Sequence, residues 1–312
     1  MKIVLGSMTF SDQVDEATAI DMVSMFRTKE HHEVDTAYVY HKGKTEKLLG
    51  VMNEKGALEG TALAGKANPS AGNGLSAESV TMQISESLAR VKMDAFDLFY
   101  LHMPDLDTPI IETLACVDEH HRNGKFKRFG LSNYAAWQVA EIVELCKHND
   151  WVQPTVYQGM YNALTRDVER ELLSCLANYN ISFYVYNPLA GGMLSGKHVS
   201  VDTQPESGRF ASFPGYQDRY WKPDMFQVVQ SFTTACEVEG IAPANAALRW
   251  LVHHSDVSHN ENHAIILGSS TVAHLEQNLA ACEQGPLPES IVQSLDEGWE
   301  QVRPTCMKYF RP

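Results

Sequence analysis

A chain of 312 residues, 44 % apolar and 21 % charged, has material for a sizeable core, and no Pro/Gly/Ser-rich run or charge block divides it. Its 25 Lys and Arg stand against 39 Asp and Glu, a formal charge of −14 that repels a phosphate backbone and argues against a nucleic-acid partner. Six cysteines without CxxC spacing, an N-terminal MKIVLGSMTF too weakly apolar for a secretory leader, and no uninterrupted apolar run long enough for a bilayer predict a cytoplasmic protein with reduced thiols and no membrane contact.

In chain order, the first predicted strand is KIVL (2–5), followed by an amphipathic segment at 15–29, and the second is EVDT (33–36), followed by 44–53. TALAGK (61–66) precedes a helix over 76–92, where Leu75, Val80, Ile84, Leu88 and Val91 recur at helical spacing and Ser76 stands as N-cap. FDLFYLH (96–102) leads to 109–123, and FKRFGLS (126–132) to 135–148. TVYQGM (155–160) leads to a helix over 166–180 with Thr165 as its expected cap. After SFYVYNP (182–188) comes 195–224, rich in Gly, Pro and Ser with little periodicity, which reads as a long insertion loop before two helices within 224–254. AIILG (264–268) and 271–282 complete the series, and 288–302 is a helix beyond the count. Eight such units predict an α/β fold, a single (β/α)8 TIM barrel over 1–312 with an extra C-terminal helix and long loops at the C-terminal face. An open dinucleotide-binding sheet would want GxGxxG after its first strand, where this chain has Gly6-Ser7-Met8-Thr9-Phe10.

In a barrel the chemistry gathers where strands finish. Asp35 ends the second predicted strand, with Tyr38 and Tyr40 beyond it; Lys66 ends the third and His102 the fourth. Ser132-Asn133 close the fifth, Gln158 lies in the sixth, Tyr186 is near the end of the seventh, and Gly268-Ser269-Ser270 follow the eighth. Singly, each has a plain structural reading: a strand-terminal Asp caps a turn, an Asp–Lys pair is an ordinary salt bridge, and His102 suits a packed core. Four in succession suit one task. A nearby ammonium on Lys66 would lower the pKa of Tyr40, Asp35 would keep that lysine charged, and His102 would orient a carbonyl oxygen or share a proton relay. The quartet looks built to protonate an oxygen. No metal is expected: His31-His32, His120-His121 and His253-His254 are adjacent pairs that do not face one point, and HxH, HExxH and CxxC are absent, which sets a metal-dependent hydrolase aside.

D35-T-A-Y-V-Y40 followed by H-K-G-K-T-E46 resembles the Asp-Thr-Ala-x-x-Tyr signature of the aldo-keto reductases, and Lys66, Y100-L-H102, G130-L-S-N133, Y157-Q158 and Y186-N-P-L189 fall in that family's order. T155-V-Y-Q-G-M-Y-N162, N187-P-L-A-G-G192, D218-R-Y-W-K222 and L275-E-Q-N-L-A280 are similar to the aflatoxin-aldehyde reductase group, which also reduces succinic semialdehyde. The resemblance implies NADPH-dependent reduction of aldehydes and ketones to alcohols, hydride passing from nicotinamide to the carbonyl carbon with Tyr40 as proton donor. It implies that Ser132, Asn133 and Gln158 hold the carboxamide, and that Tyr186 stacks on the nicotinamide. Asn187, Leu189 and Gly191 join the implied NADP site, as do Gly268, Ser269, Ser270, His274, Gln277 and Asn278, with Arg209 as a phosphate clamp. A cofactor-sensing module like the potassium-channel β-subunits, which share this barrel, is the alternative.

Two departures from the family fall at three positions. Gly65 replaces the usual Thr before the lysine, so a looser strand end is expected; Gly268 and His274 replace the Lys and Arg that hold the 2′-phosphate in many relatives. NADP stays the expectation over NAD, since the resembled group shares this less basic version and a helix start at 271 offers N–H groups. For the substrate, Arg219 is the expected carboxylate holder, with an ion pair to Asp218 as an equal alternative. Met8, Tyr38, Trp221 and Tyr309 would line an apolar wall or simply pack. The resembled group includes dimers, so a homodimer is an expectation with no interface legible in the periodicity.

Overall fold

The computed structural model describes residues 1–203, 205, 206, 208–212 and 214–311, leaving aside the side chains of 212 and 214. Eight parallel strands, β1 (Lys2–Gly6), β2 (Glu33–Asp35), β3 (Ala62–Ala67), β4 (Phe96–Leu101), β5 (Phe126–Ser132), β6 (Pro154–Met160), β7 (Ser182–Tyr186) and β8 (Ala264–Gly268), pair in sequence order. β8 returns to β1, from Lys2↔Ala264 to Gly6↔Gly268, and closes the barrel. Successive side chains on a strand point to opposite faces, so each strand feeds two cores. Val4, Ala64, Leu98, Tyr100, Val156, Tyr184, Ala264 and Ile266 fill the barrel interior, whereas alternate neighbours such as Leu63, Phe99, Leu131 and Ile265 pack under the helices. Burial on both faces is why these strands read as near-continuous apolar runs.

The helices α1 (Glu16–Thr28), α2 (Lys44–Glu54), α3 (Ala77–Val91), α4 (Ile110–Arg122) and α5 (Ala136–His148) follow their strands as predicted. Asp15 caps α1 by accepting from Thr18 N, and Ser76 caps α3 by accepting from Ser79 N at 3.3 Å. After β6 the expected single helix is broken: a 3-10 turn at Asp167–Arg170 precedes a short α6 (Leu172–Asn178), and Thr165 caps nothing because its backbone turns back onto Asn162. Arg166 accounts for the detour. Its guanidinium lies 4.2 Å over the Trp250 ring and reaches Asp296 at 2.7 Å and the carbonyl of Leu295.

The described residues of 195–224 hold more regular structure than the composition suggests. They carry α7 (Arg209–Ser212) and α8 (Pro214–Tyr220), supported by the Phe210, Trp221 and His198 rings, whose centroids lie 5.0 to 5.1 Å apart. α9 (Pro223–Val238), α10 (Pro243–His253) and α11 (Val272–Cys282) follow, and the extra helix α12 (Glu289–Val302) packs on α9. A Cβ on Gly298 would stand 2.4 Å from Val228 Cγ1, so the two helices approach as closely as a glycine allows. Among the described residues no helix is long and apolar enough to cross a membrane.

Candidate active site

A cavity of about 600 Å³ opens at the C-terminal end of the barrel. Beneath it, Lys66 is fully buried at the end of β3 and Asp35 nearly so at the end of β2. Lys66 Nζ donates to Asp35 Oδ2 at 2.5 Å and to the carbonyl of Thr36 at 2.6 Å. The other carboxylate oxygen accepts from Gln158 Nε2, across the barrel on β6, at 2.8 Å. Burial pushes the Lys66 pKa down while the Asp35 charge and hydrogen bond push it up. Removing two charges from water is tolerable only with such mutual satisfaction.

Tyr40 begins a 3-10 turn whose next two residues, His41 and Lys42, have φ of 45° and 57°. The loop is tied down from the β1 side, His41 Nε2 donating to Met8 O at 2.8 Å and Thr45 Oγ1 to Phe10 O at 3.0 Å. Lys66 Nζ lies 5.4 Å from the Tyr40 ring centroid, and the His102 ring meets Tyr40 edge-on at 6.2 Å. Tyr40 and His102 both line the cavity, whereas Lys66 stays behind the wall. Burial first, and then the Asp35 charge, raise Tyr40 well above the ordinary phenol value. The net direction is upward, where a lowering by the Lys66 ammonium was expected; that ammonium is bonded to Asp35 and Thr36. A neutral tyrosine retains a phenolic proton that an alkoxide, being far more basic than a phenolate, is able to take. His102 is pushed down to about 3, by burial first and then by the charges of Lys66 and Arg311, so its imidazole is neutral.

On the far side, every residue expected to hold the cofactor lines the same cavity. Asn133, at φ 65°, donates through Nδ2 to His102 O and Ser132 Oγ and accepts from Tyr186 OH at 2.8 Å, so its amide is largely spent within the protein. Ser132 accepts from Asn133, which leaves its own hydroxyl proton to donate. Asn187 takes Gly191 N on its oxygen at 2.6 Å and donates to Tyr220 OH, shaping the Gly191-Gly192 turn at the cavity edge. Asn278 donates to Ser269 Oγ, and Thr271 caps α11 through His274 N.

Arg209 bonds Tyr216 OH at 2.9 Å and its guanidinium reaches the end of β8, where a Cβ on Gly268 would lie 3.1 Å from Nη2. Arg219 also lines the cavity, 5.2 Å from the Tyr216 ring centroid, and among the described residues it has no carboxylate within ion-pair distance, Asp218 included. Met8 is at the wall, but Tyr38 and Trp221 are not. Tyr38 points to α3, donating to Glu86 at 2.7 Å beneath the Arg90 guanidinium, and Trp221 faces Phe210 and Phe226 with Nε1 on Val201 O. Tyr309 is not at the wall either; its hydroxyl accepts from Ala136 N at the start of α5 and donates to Glu171.

Two lining cations went unpredicted, Lys197 and Arg311. Arg311 arrives from the end of the chain because its backbone N–H donates to Asn133 O at 2.9 Å. In a chain of net charge −14, the lining thus carries Lys197, Arg209, Arg219 and Arg311 against a single carboxylate, Asp35, already paired. Low-dielectric walls with one sign of charge focus the field and favour an anionic ligand. These cations, the polar donors and the cavity's size fit a nicotinamide dinucleotide.

The sequence pattern of the Aldo/keto reductase family matches residues 2–300. The chain is 43 % identical over 319 residues to aflatoxin B1 aldehyde reductase member 2 of Mus musculus, covering 99 % of this chain and 87 % of that one. It is 43 % identical to aldo-keto reductase family 7 member A3 of Homo sapiens, covering 99 % and 96 %. It is 42 % identical to aflatoxin B1 aldehyde reductase member 4 of Homo sapiens, covering 98 % and 96 %.

Proposed function

The chain belongs to the aldo/keto reductase family of oxidoreductases, and from that premise we propose that it reduces aldehydes, carboxylated ones included, to alcohols with NADPH. The observation that carries the reading is Tyr40 beside a neutral His102 on the cavity wall, with the Lys66–Asp35 pair directly behind. When bound, the nicotinamide supplies a hydride to the carbonyl carbon. Tyr40 gives its phenolic proton to the carbonyl oxygen as negative charge grows there, and His102 orients that oxygen. The Lys66 ammonium, kept in place by Asp35 and Gln158, would offset part of the burial cost of the phenolate left behind, without bringing the resting Tyr40 below the ordinary phenol value. Ser132 and Gln158 would take the carboxamide and Tyr186 the ring face, with Asn133 contributing through its contact to Tyr186.

NADPH is preferred to NADH in this reading because Lys197, Arg209 and the start of α11 supply cations and backbone N–H groups for phosphates. Arg219 and Arg311 would hold a substrate carboxylate. Names among the relatives such as aflatoxin B1 aldehyde reductase favour turnover over a cofactor-sensing role. The test is NADPH oxidation with 4-nitrobenzaldehyde and succinic semialdehyde, beside Tyr40→Phe and beside NADH. Turnover lost in Tyr40→Phe with cofactor binding retained is expected. Cofactor binding without turnover on any aldehyde would overturn the reading, and equal KM for the two cofactors would remove the NADPH preference.

A further inference from the structure

Asn68 lies just past the end of β3, two residues beyond Lys66, and is 3 % exposed. Its Nδ2 stands 3.1 Å from His102 Nδ1. Ser70 decides which way the amide faces, since its backbone N–H and its hydroxyl both reach Asn68 Oδ1, at 2.9 and 2.7 Å. A backbone N–H can only donate, so the atom it meets is the amide oxygen and the NH2 end must face the imidazole. The amide is rigidly placed as well. Asn68 N donates to Gln83 Oε1 at 2.8 Å, Gln83 Nε2 donates back to Asn68 O at 3.1 Å, and Gln83 is fully buried on α3.

An NH2 group has no lone pair to offer, so His102 Nδ1 must accept, and the one proton of the neutral ring then lies on Nε2. We propose that Asn68, oriented by Ser70 and Gln83, is a positioning residue that fixes His102 as its Nε2–H tautomer and so makes it a hydrogen-bond donor to the substrate oxygen. The proposal rests on the carbonyl-reductase reading for what that donor meets, and it goes further by closing the alternative of a relay. A relay that delivered a proton from Nε2 would have to refill the ring at Nδ1 from the Asn68 amide, which does not give up its proton. His102 therefore steers the oxygen, and Tyr40 alone delivers the proton.

The test reads the ring directly, by 15N NMR of the full-length labelled protein near neutral pH, with His102→Gln to assign the signals. The expected spectrum has a pyridine-like Nδ1 and a pyrrole-like Nε2. In Asn68→Asp an acceptor replaces the NH2 while Ser70 still pins the other oxygen, so Nδ1 should become protonated. kcat for aldehyde reduction should fall about a hundredfold, the scale for losing one preorganised donor, with cofactor affinity unchanged. An Nδ1–H wild type, or ring signals unchanged in Asn68→Asp, would overturn the proposal. Should Asn68→Asp not fold by circular dichroism, the wild-type spectrum decides. Since the tautomer is read without turnover, an inactive protein with Nε2–H refutes the reductase reading alone, and an active one with Nδ1–H refutes the tautomer lock alone.

Discussion

The ring of Phe96 occupies the space a side chain at Gly65 would need: a Cβ there would lie 2.8 Å from Phe96 Cζ and 2.9 Å from both Cε atoms. β3 before Lys66 is thus filled from the neighbouring strand, and the looseness expected of a glycine there does not arise. Restoring a larger residue with Gly65→Thr should destabilise the fold by about 1 to 3 kcal/mol, the usual cost of overpacking. Urea unfolding checks this, and a stabilised Gly65→Thr would show that the ring yields freely.

The Lys66–Asp35 pair calls for a double-variant cycle. Lys66→Met leaves a buried carboxylate without its cation, at a cost of about 3 to 5 kcal/mol. Combining it with Asp35→Asn removes the orphaned charge, so the double variant should be more stable than Lys66→Met alone, although both are inactive. Denaturant midpoints of the four proteins decide; additive losses would mean that the two groups act independently.

His102 gives a pH signature. Its folded pKa of about 3 lies below the ordinary 6.5, so between these values the unfolded chain binds the extra proton. The stability linked to this group is fully present above about pH 6.5 and is lost as pH falls toward about 3. His31, His120, His198, His254 and His263 are also lowered, so the comparison needs a variant. The stability of wild type relative to His102→Gln should shrink as pH drops from about 7 to about 5. Parallel pH curves would contradict it.

Arg219→Ala and Arg311→Ala should each raise KM for succinic semialdehyde by about tenfold or more, the scale of a charge-assisted bond, and leave KM for 4-nitrobenzaldehyde little changed. Equal effects on both aldehydes would take the residue concerned out of carboxylate binding.

The eight strands were legible because burial on both faces produces apolar runs that turn signals delimit, and β3 falls within a residue of TALAGK. That Asp35, Tyr40, Lys66 and His102 would meet was legible because they stand at or just beyond strand ends, which are a fixed address in a barrel. Tyr38 and Trp221 sit in irregular segments, where no period tells which way a side chain points; one turned to Glu86 and the other into an aromatic cluster. α7 and α8 were missed for a related reason, since rings far apart in sequence hold them rather than an amphipathic stripe. Arg311 was hidden because its backbone bond to Asn133, far away in the sequence, is what the pattern of the chain does not announce.

Asp35, Tyr40, Lys66, Asn68 and His102 all precede the exposed turn at Gly124, and Ser132, Gln158, Tyr186, Arg209 and Ser269 all follow it. Gln158 to Asp35 and Asn133 to His102 O stitch the two sets together. The proposed proton delivery and the proposed cofactor cradle are therefore encoded on separate stretches of gene. A chimera joined to a relative at that turn, keeping Gln158 and Asn133, should exchange cofactor preference while inheriting its acid intact.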